Sequence, residues 1–164
     1  MELLTGLVGV LLGAFLTAFF TRRESKRQAK INTTLKMYER FQSILSSRII
    51  ADQLLDKNFA LEHPLTYQQL KTSLSLEDWQ HISTTRHFFN ELGLLYKTGY
   101  LDTRLARVLF APTFKYWYEK YFLPLEVNPV IKDAEPIKWI VSPNEIASWL
   151  LNDTVDKSRL RPHK

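Results

Sequence analysis

The sequence feature that most constrains the fold is an uninterrupted apolar run over residues 3–20, which contains glycine and threonine but no ionisable side chain. At about 1.5 Å of rise per residue, a helix of this length covers roughly 27 Å, close to the roughly 30 Å hydrocarbon core of a bilayer. Leucine, valine and phenylalanine at the centre of such a helix each favour insertion by about 0.3 to 0.6 kcal/mol. The run therefore predicts one transmembrane helix over residues 1–21.

A cleaved signal peptide and a buried core helix are the alternative interpretations of this run. A signal peptide carries basic residues ahead of its apolar region and small residues at its cleavage site. Here Glu2 is the only ionisable side chain ahead of the run, and bulky Phe19 and Phe20 end it. The transmembrane helix is therefore the preferred interpretation.

Basic residues follow the apolar run, and they predict its orientation because short cytoplasmic segments are enriched in lysine and arginine. Five of them are predicted to contact anionic lipid head groups: Arg22, Arg23, Lys26, Arg27 and Lys30. Each such residue gains about 1 kcal/mol near an anionic membrane surface. We therefore expect a single-pass protein of the inner membrane, with its N-terminus outside and its C-terminal domain in the cytoplasm.

The net charge of +5 comes from residues 22–40, where seven basic side chains stand against two acidic ones. The rest of the chain carries as many acidic as basic side chains, so the charge marks a membrane-proximal segment rather than a basic groove. No nucleic-acid-binding motif accompanies it, and binding of a nucleic acid polymer is not expected. The chain has no cysteine, which excludes disulfides, thiol catalysis and cysteine-ligated metals.

Apolar residues recur at steps of three and four along the rest of the chain, so we expect an all-α protein with a cytosolic antiparallel helical bundle behind the transmembrane helix. The basic juxtamembrane segment and first cytosolic helix are predicted over residues 22–56, and they can continue the membrane helix without a break. The bundle is predicted over residues 57–152, and a flexible polar tail over residues 153–164. The apolar stripe of the first cytosolic helix is predicted to comprise Ile31, Leu35, Tyr38, Phe41 or Gln42, Leu45 and Ile49, with Arg40 and Arg48 on a polar flank.

Capping sequences divide the predicted bundle into helices. A helix is expected to start at each of three residues. These are Ser75, which precedes two carboxylates, then Asp102, and then Ser142, which precedes a proline. A short helix or turn is expected over residues 66–71. Gly99 is expected to end the helix that follows Ser75, and Pro112 is expected to break or restart the helix that follows Asp102. The apolar stripe of that helix is predicted to comprise Leu105, Val108, Leu109 and Phe110.

Three segments carry a family resemblance: TLKMYERFQS at residues 34–43, FFNELGLLYKTGYLD at residues 88–102 and FKYWYEKY at residues 114–121. Together they resemble the DUF4760 type of small bacterial protein, a family without an assigned activity. The resemblance covers roughly residues 31–122. It implies an α-helical domain, often behind an N-terminal membrane helix, and it implies no catalytic residue.

The search for catalytic chemistry finds no nucleotide-binding loop, nucleophile elbow or zinc-protease motif. His81 and His87 are six residues apart on one predicted helix, so they point to different sides of it. Each has a glutamate at four-residue spacing, but two ligands on one helix do not complete a metal site. We predict that the protein is not an enzyme and binds no metal or cofactor.

A polar group within an otherwise apolar stretch is the best candidate for a ligand or partner face: Arg86, His87, Asn90 and Glu91, with Trp117 from the following aromatic segment. A hydrogen-bond network between helices, or simple solvation, explains the polar residues more economically. Packing in the core likewise explains Trp117 more simply than stacking on a ligand.

Gly9, Gly13 and Thr17 form a ridge of small residues at four-residue spacing, which lets two membrane helices approach closely. This ridge predicts a homo-oligomer formed through the membrane helix. The preferred function is a membrane-anchored interaction or scaffold protein that binds the membrane, anionic lipid and a protein partner. The alternative is a membrane effector gated by a cytosolic ligand, such as a nucleotide second messenger in phage defence.

Overall fold

The computed structural model describes the backbone of residues 2–62, 64–127 and 139–151, and the side chains of residues 13–62, 64–125 and 139–151. Its helical elements are α1 (Glu2–Ser43), α2 (Leu45–Phe59), α3 (Tyr67–Ser73), α4 (Leu76–Lys97), α5 (Thr103–Trp117), a π-helical segment (Tyr118–Val127) and α6 (Pro143–Leu150). The described part of the chain contains no strand, so the prediction of an all-α fold is confirmed. The predicted polar tail over residues 153–164 lies outside the described residues.

The C-terminal part of α1 and the whole of α2 form one edge of an antiparallel bundle. Helix α4 runs antiparallel to this edge, because contacts toward its C-terminal end pair Glu91 with Arg40, while contacts nearer its start pair His81 with Ser47. Helix α5 then returns in the opposite direction, so that Asp102 lies beside Thr34 at one end. Helix α6 packs against α4, α5 and the π-helical segment.

The predicted unbroken helix over residues 22–56 is wrong in one respect, because α1 ends at Ser43 and α2 begins at Leu45. The residue between them, Ile44, has φ −95° and ψ 15°, outside regular helical geometry. The Ser43 hydroxyl donates to the carbonyl of Arg40 at 2.7 Å. The same carbonyl also accepts from the backbone N–H of Ile44 at 3.2 Å, so helical hydrogen bonding continues across this junction.

The stripe predicted for this edge of the bundle is wrong except at Phe41, one of the two alternatives given for its position, which is buried. The buried side chains recur one residue out of the predicted register: Thr34, Met37, Phe41, Arg48, Ala51, Leu55 and Asn58. Leu35, Leu45 and Ile49, which the prediction placed toward the core, are exposed, and Arg48 is buried instead of lying on a polar flank. The apolar pattern misleads here because three of the buried positions hold polar side chains.

Hydrogen bonds offset the burial of Thr34 and Asn58, whereas the buried Nε of Arg48 has no hydrogen-bond partner among the described residues and its guanidinium packs on a ring. The Thr34 hydroxyl accepts a hydrogen bond from the Asp102 backbone N–H at 3.0 Å. The Asn58 amide both accepts from and donates to the backbone of Leu65, at 2.8 and 3.0 Å. The Arg48 guanidinium lies 3.6 Å from the ring centroid of Phe41, and burial lowers the pKa of this guanidinium.

The predicted helix starts are confirmed. Ser75 caps α4 by accepting from the N–H of Asp78 at 3.0 Å, Asp102 caps α5, and Ser142 caps α6. The short helix expected over residues 66–71 is α3, which a Thr66 capping box begins. Gly99 has φ +74°, the left-handed conformation expected of the residue that ends α4.

The prediction that Pro112 breaks the helix after Asp102 is wrong, because α5 continues through it to Trp117. Proline has no N–H for the carbonyl of Val108, but both residues lie on the exposed face, where water can bond that carbonyl. Val108 is 75% exposed, so its predicted place in the apolar stripe is also wrong. Buried α5 residues are Ala106, Phe110, Phe114 and Trp117.

The core is rich in aromatic rings. Phe41 of α1 packs on Phe88 of α4 and Phe110 of α5, with ring centroids 4.8 and 5.5 Å apart. Helix α6 closes the core at Gly93, where an added Cβ would stand 2.9 Å from Cγ1 of Ile146. The glycine therefore permits the close approach of α4 and α6.

The N-terminal half of α1 stands clear of the bundle. Every α1 side chain described from Gly13 to Lys30 is exposed, and half-burial first occurs at Ile31. Among the described residues, no helix is long and apolar enough to cross a membrane. The side chains of residues 3–12, which form the first part of the predicted transmembrane run, lie outside the described set.

Candidate functional site

The predicted ligand or partner face does not form one surface. Asn90 is 9% exposed, and its side-chain oxygen accepts from the backbone N–H groups of Ile140 and Val141 at 3.1 and 3.3 Å. Glu91 pairs with Arg40 of α1. These two residues thus hold α4 to the segment before α6 and to α1, the helix-to-helix role that sequence reasoning favoured for them.

The other members of that face lie in different surroundings. The Arg86 guanidinium lies 4.7 Å from the ring centroid of Trp139 and 5.3 Å from that of Tyr67. His87 is exposed, and Trp117 is buried within the core. The structure therefore brings Asn90 and Trp117 into packed regions and leaves His87 on the surface.

A polar cluster that the sequence analysis missed lies where α2 meets α5 and the π-helical segment. It comprises Asp52, Asp56, Tyr116, Lys120 and Tyr121. The Tyr116 hydroxyl donates to Asp52 Oδ1 at 2.7 Å, and the Lys120 ammonium donates to the Tyr116 hydroxyl at 2.6 Å. The buried Tyr121 hydroxyl lies within bonding distance of both carboxylates, 2.8 Å from Asp56 Oδ1.

Burial and hydrogen bonds shift the pKa values of three groups in this cluster. Burial, together with the hydrogen bonds to Asp52 and Asp56, raises the pKa of Tyr121, so the phenol is protonated. The hydrogen bond from Lys120 lowers the pKa of Asp56. Burial alone would lower the pKa of Lys120, but its bonds to Asp56 and Tyr116 and the charge of Asp52 outweigh this and raise it.

The cluster joins α2 to the C-terminal part of the bundle. The distance between Lys120 Nζ and Asp56 Oδ1 is 2.7 Å, and that between Lys120 Nζ and Asp52 Oδ1 is 3.6 Å. One ammonium and two phenols thus serve two carboxylates, an arrangement that holds the helices together. The available sequence signal was the four-residue spacing of Asp52 with Asp56 and of Tyr116 with Lys120, but nothing local relates the two pairs.

No group of three or more potential metal ligands occurs among the described residues. His81 Nδ1 lies 3.2 Å from the Ser47 hydroxyl, which ties α4 to α2. His87 lies on the exposed surface of the same helix. The two histidines therefore have separate surroundings, as their spacing predicted.

The residues predicted to pack against a second membrane helix are described only in part. Gly13 has no heavy atom within 4 Å of the place where a Cβ would stand, and the Thr17 hydroxyl donates to its carbonyl at 2.8 Å. The surroundings of Gly9 lie outside what the structure describes. The predicted lipid contacts are all exposed on α1: Arg22, Arg23, Lys26, Arg27 and Lys30.

Comparisons with protein-family models, with curated proteins and with solved structures gave no match. The resemblance to the DUF4760 type of protein therefore stays a prediction. What the structure defines is an all-α bundle from which one long N-terminal helix projects.

Proposed function

We propose that the protein is a single-pass, membrane-anchored interaction protein of the inner membrane. In this proposal residues 3–20 span the bilayer with the N-terminus outside, and the bundle binds a protein partner in the cytoplasm. One observation supports this proposal: α1 projects beyond the bundle, and the large side chains at the end of its N-terminal apolar run are exposed. Phe15 is 70% exposed, and Leu16, Phe19 and Phe20 are also exposed.

An exposed row of large apolar side chains is unfavourable in water and marks a surface that another phase or molecule covers. Helix α1 has 42 residues and is therefore about 63 Å long, of which the first 29 residues lie ahead of the bundle. Lipid would cover the apolar part of this length. The basic residues that follow would lie at the level of the head groups, where anionic lipid attracts them.

The polar groups described above mainly hold the helices of the bundle together. Asn90, Glu91 and the Asp52 cluster each join two elements of the fold. The resemblance to the DUF4760 type of protein agrees with this proposal, since that family implies an α-helical domain behind a membrane helix.

Carbonate extraction of membranes from cells that make the full chain tests the anchoring. We expect the protein in the carbonate-resistant pellet. Leu12→Arg should shift it toward the supernatant, because an arginine at the centre of a membrane helix costs about 2.5–3.5 kcal/mol. Thr21→Arg, which adds the same charge beside Arg22, should leave it in the pellet. Release of the unaltered protein by carbonate would refute the anchoring.

Detergent purification under mild cross-linking tests the interaction role. We expect a protein partner in a fixed ratio to this chain. A thermal shift with a nucleotide second messenger, in a preparation without such a partner, would instead favour the gated membrane effector.

A further inference from the structure

The cations on the projecting part of α1 are confined to one side of the helix. Three buried residues give the direction in which α1 faces the bundle: Thr34, Met37 and Phe41. At about 100° per residue, four exposed basic residues lie within roughly 55° of that direction, and we call them the basic side of α1: Arg23, Lys26, Arg27 and Lys30. Arg22 lies roughly 95° from it. The cations of the basic side therefore stand over the end of the bundle.

The opposite side of the same stretch is polar but uncharged. Ser25, Gln28 and Asn32 lie roughly 145° or more from the direction of the bundle, and all three are exposed. Glu24 is the only acidic residue between positions 22 and 33, and its carboxylate lies 4.0 Å from the guanidinium of Arg27. This stretch thus carries five basic residues against one acidic residue, with its positive charge directed toward the bundle.

The turn between α4 and α5 forms the end of the bundle below the basic side. The Thr34 hydroxyl accepts from the backbone N–H of Asp102, which holds this turn beside the point where α1 enters the core. Residues 97–100 are all exposed, and Tyr100 is 62% exposed. Asp102 is the only acidic residue between positions 97 and 104, and its carboxylate caps α5. The exposed turn and the four cations therefore border the same space at one end of the bundle.

An upright α1 would leave part of the basic side beyond the lipid head groups. Each head-group layer adds about 5–8 Å to the hydrocarbon core. If the span ends at Phe20, Lys30 lies about 14 Å further along the helix than Thr21. With helix axes about 8–10 Å apart, a tilt of roughly 30° toward the bundle would bring the turn close to the head groups. Such a tilt lies within the range of about 0–40° observed for membrane helices.

We propose that the basic side of α1 and the α4–α5 turn together bind an anionic lipid surface, with α1 tilted toward that side and the bundle resting against the bilayer. The inference rests on the proposed function, which places the apolar run in the membrane. Charge complementarity identifies the partner, because anionic head groups attract lysine and arginine, and tyrosine suits the same interfacial layer. Lipid surrounds an upright helix evenly, so an upright α1 would not favour cations on one side.

Fluorescence quenching of the full chain in vesicles tests this contact. Thr98→Cys gives the cysteine-free chain one thiol for a fluorescent label in the exposed turn, and Lys57→Cys places the label on an exposed position near the C-terminal end of α2. The quencher is a lipid with a spin-labelled head group, in phosphatidylcholine vesicles with or without phosphatidylglycerol. With phosphatidylglycerol, we expect several-fold stronger quenching from Thr98→Cys than from Lys57→Cys. Equal quenching of Thr98→Cys with and without the anionic lipid would overturn the proposal.

Relocating two cations tests whether their side of α1 matters rather than the net charge. Ser25→Lys with Lys26→Ser, combined with Gln28→Lys and Lys30→Gln, moves two cations to the opposite side and keeps the composition. We expect this variant to reduce the quenching of the Thr98→Cys label several-fold. Lys26→Arg with Lys30→Arg is the matched control, which leaves both charges in place and should retain the quenching. Equal quenching in the two variants would contradict the proposed surface.

Carbonate extraction after the fluorescence measurement separates this proposal from the anchoring on which it rests. Carbonate-resistant protein whose Thr98→Cys label is quenched no more than its Lys57→Cys label would overturn the lipid contact and leave the anchoring intact. Carbonate-released protein with the expected quenching would support the lipid-binding surface and refute the anchoring. Released protein without that quenching would refute both.

Discussion

The backbone N–H of Asp102 donates to the side-chain hydroxyl of Thr34 at 3.0 Å, and this bond fastens the projecting helix α1 to the turn between α4 and α5. The same hydroxyl donates to the carbonyl of Lys30 at 2.8 Å. Thr34 is fully buried and begins the row of side chains with which α1 enters the core. The contact therefore lies where the exposed part of α1 becomes part of the bundle.

Thr34→Val keeps the shape of the side chain and removes both hydrogen bonds. Because it leaves the N–H of Asp102 without its partner, we expect a loss of about 1–3 kcal/mol in the free energy of unfolding. Urea denaturation of the full chain in detergent measures it. Thr33→Val removes only a bond to the carbonyl of Ala29 on an exposed part of the helix, and should change the value by less than about 0.5 kcal/mol. Equal effects of the two substitutions would contradict this role of Thr34.

Trp117→Ala tests whether the indole is part of the core or a partner-binding group. Trp117 is 3% exposed, and its ring centroid lies 5.0 Å from that of Tyr121. We expect a loss of about 3–5 kcal/mol in the free energy of unfolding, as for other buried tryptophans. Val108→Ala on the exposed face of α5 should have almost no effect. A Trp117→Ala protein with unchanged stability would mean that the ring is not packed as described.

Gly93→Ala should destabilise the protein, although alanine normally stabilises a helix interior relative to glycine by roughly 0.5–1 kcal/mol. The added methyl would lie 2.9 Å from Ile146 Cγ1 and 3.1 Å from Val141 Cβ. We expect a loss of about 1–3 kcal/mol through overpacking between α4 and α6. A higher free energy of unfolding for Gly93→Ala would contradict this prediction, because it would show that α4 and α6 are further apart than described.

Tyr121→Phe should lower the free energy of unfolding by about 1.5–3 kcal/mol at neutral pH, because it removes a buried hydroxyl that lies within hydrogen-bond distance of two carboxylates. The pKa of this phenol is raised in the folded protein, so its contribution is complete below about pH 10 and is lost as the pH rises through the folded value. The variant should therefore lose less stability than the parent between pH 10 and pH 11, measured as urea midpoints.

Tyr118→Phe is the control for this alkaline effect, since the Tyr118 hydroxyl donates to Asn144 on the exposed surface. It should keep the parent's pH dependence. If Tyr121→Phe and the parent lose stability in parallel above pH 10, the Tyr121 hydroxyl does not donate to the Asp52 and Asp56 carboxylates as described.

Helix starts could be predicted from the sequence because their chemistry is local. Ser75, Asp102 and Ser142 each accept from an N–H three residues along the chain, so the capping residue and the group that it bonds lie in one short stretch of sequence. The burial of Thr34 could not be predicted in this way. Its partner Asp102 is 68 residues away, and only the folded chain brings the two together.

The predicted row of Ile31, Leu35, Tyr38, Leu45 and Ile49 was mistaken for the core stripe for a related physical reason. It contains more large apolar residues than the buried row, which holds Thr34, Arg48 and Asn58. Apolar periodicity alone therefore favours the exposed row. The polar cluster around Tyr121 could not be predicted because its two aspartates lie at least 64 positions in the sequence from the residues that bond to them. The preferred structural role of Asn90, by contrast, agrees with its bonds to Ile140 and Val141.

The most direct test of the central claim is the orientation of the chain in the membrane. Glu2→Cys and Val108→Cys each give one thiol in a chain without native cysteine, the first at the N-terminus and the second 75% exposed on the bundle. In cells whose outer membrane has been made permeable, a membrane-impermeant maleimide should label Glu2→Cys at once and Val108→Cys only after lysis. Labelling of Val108→Cys before lysis, or protection of both thiols until lysis, would contradict a single span with an external N-terminus.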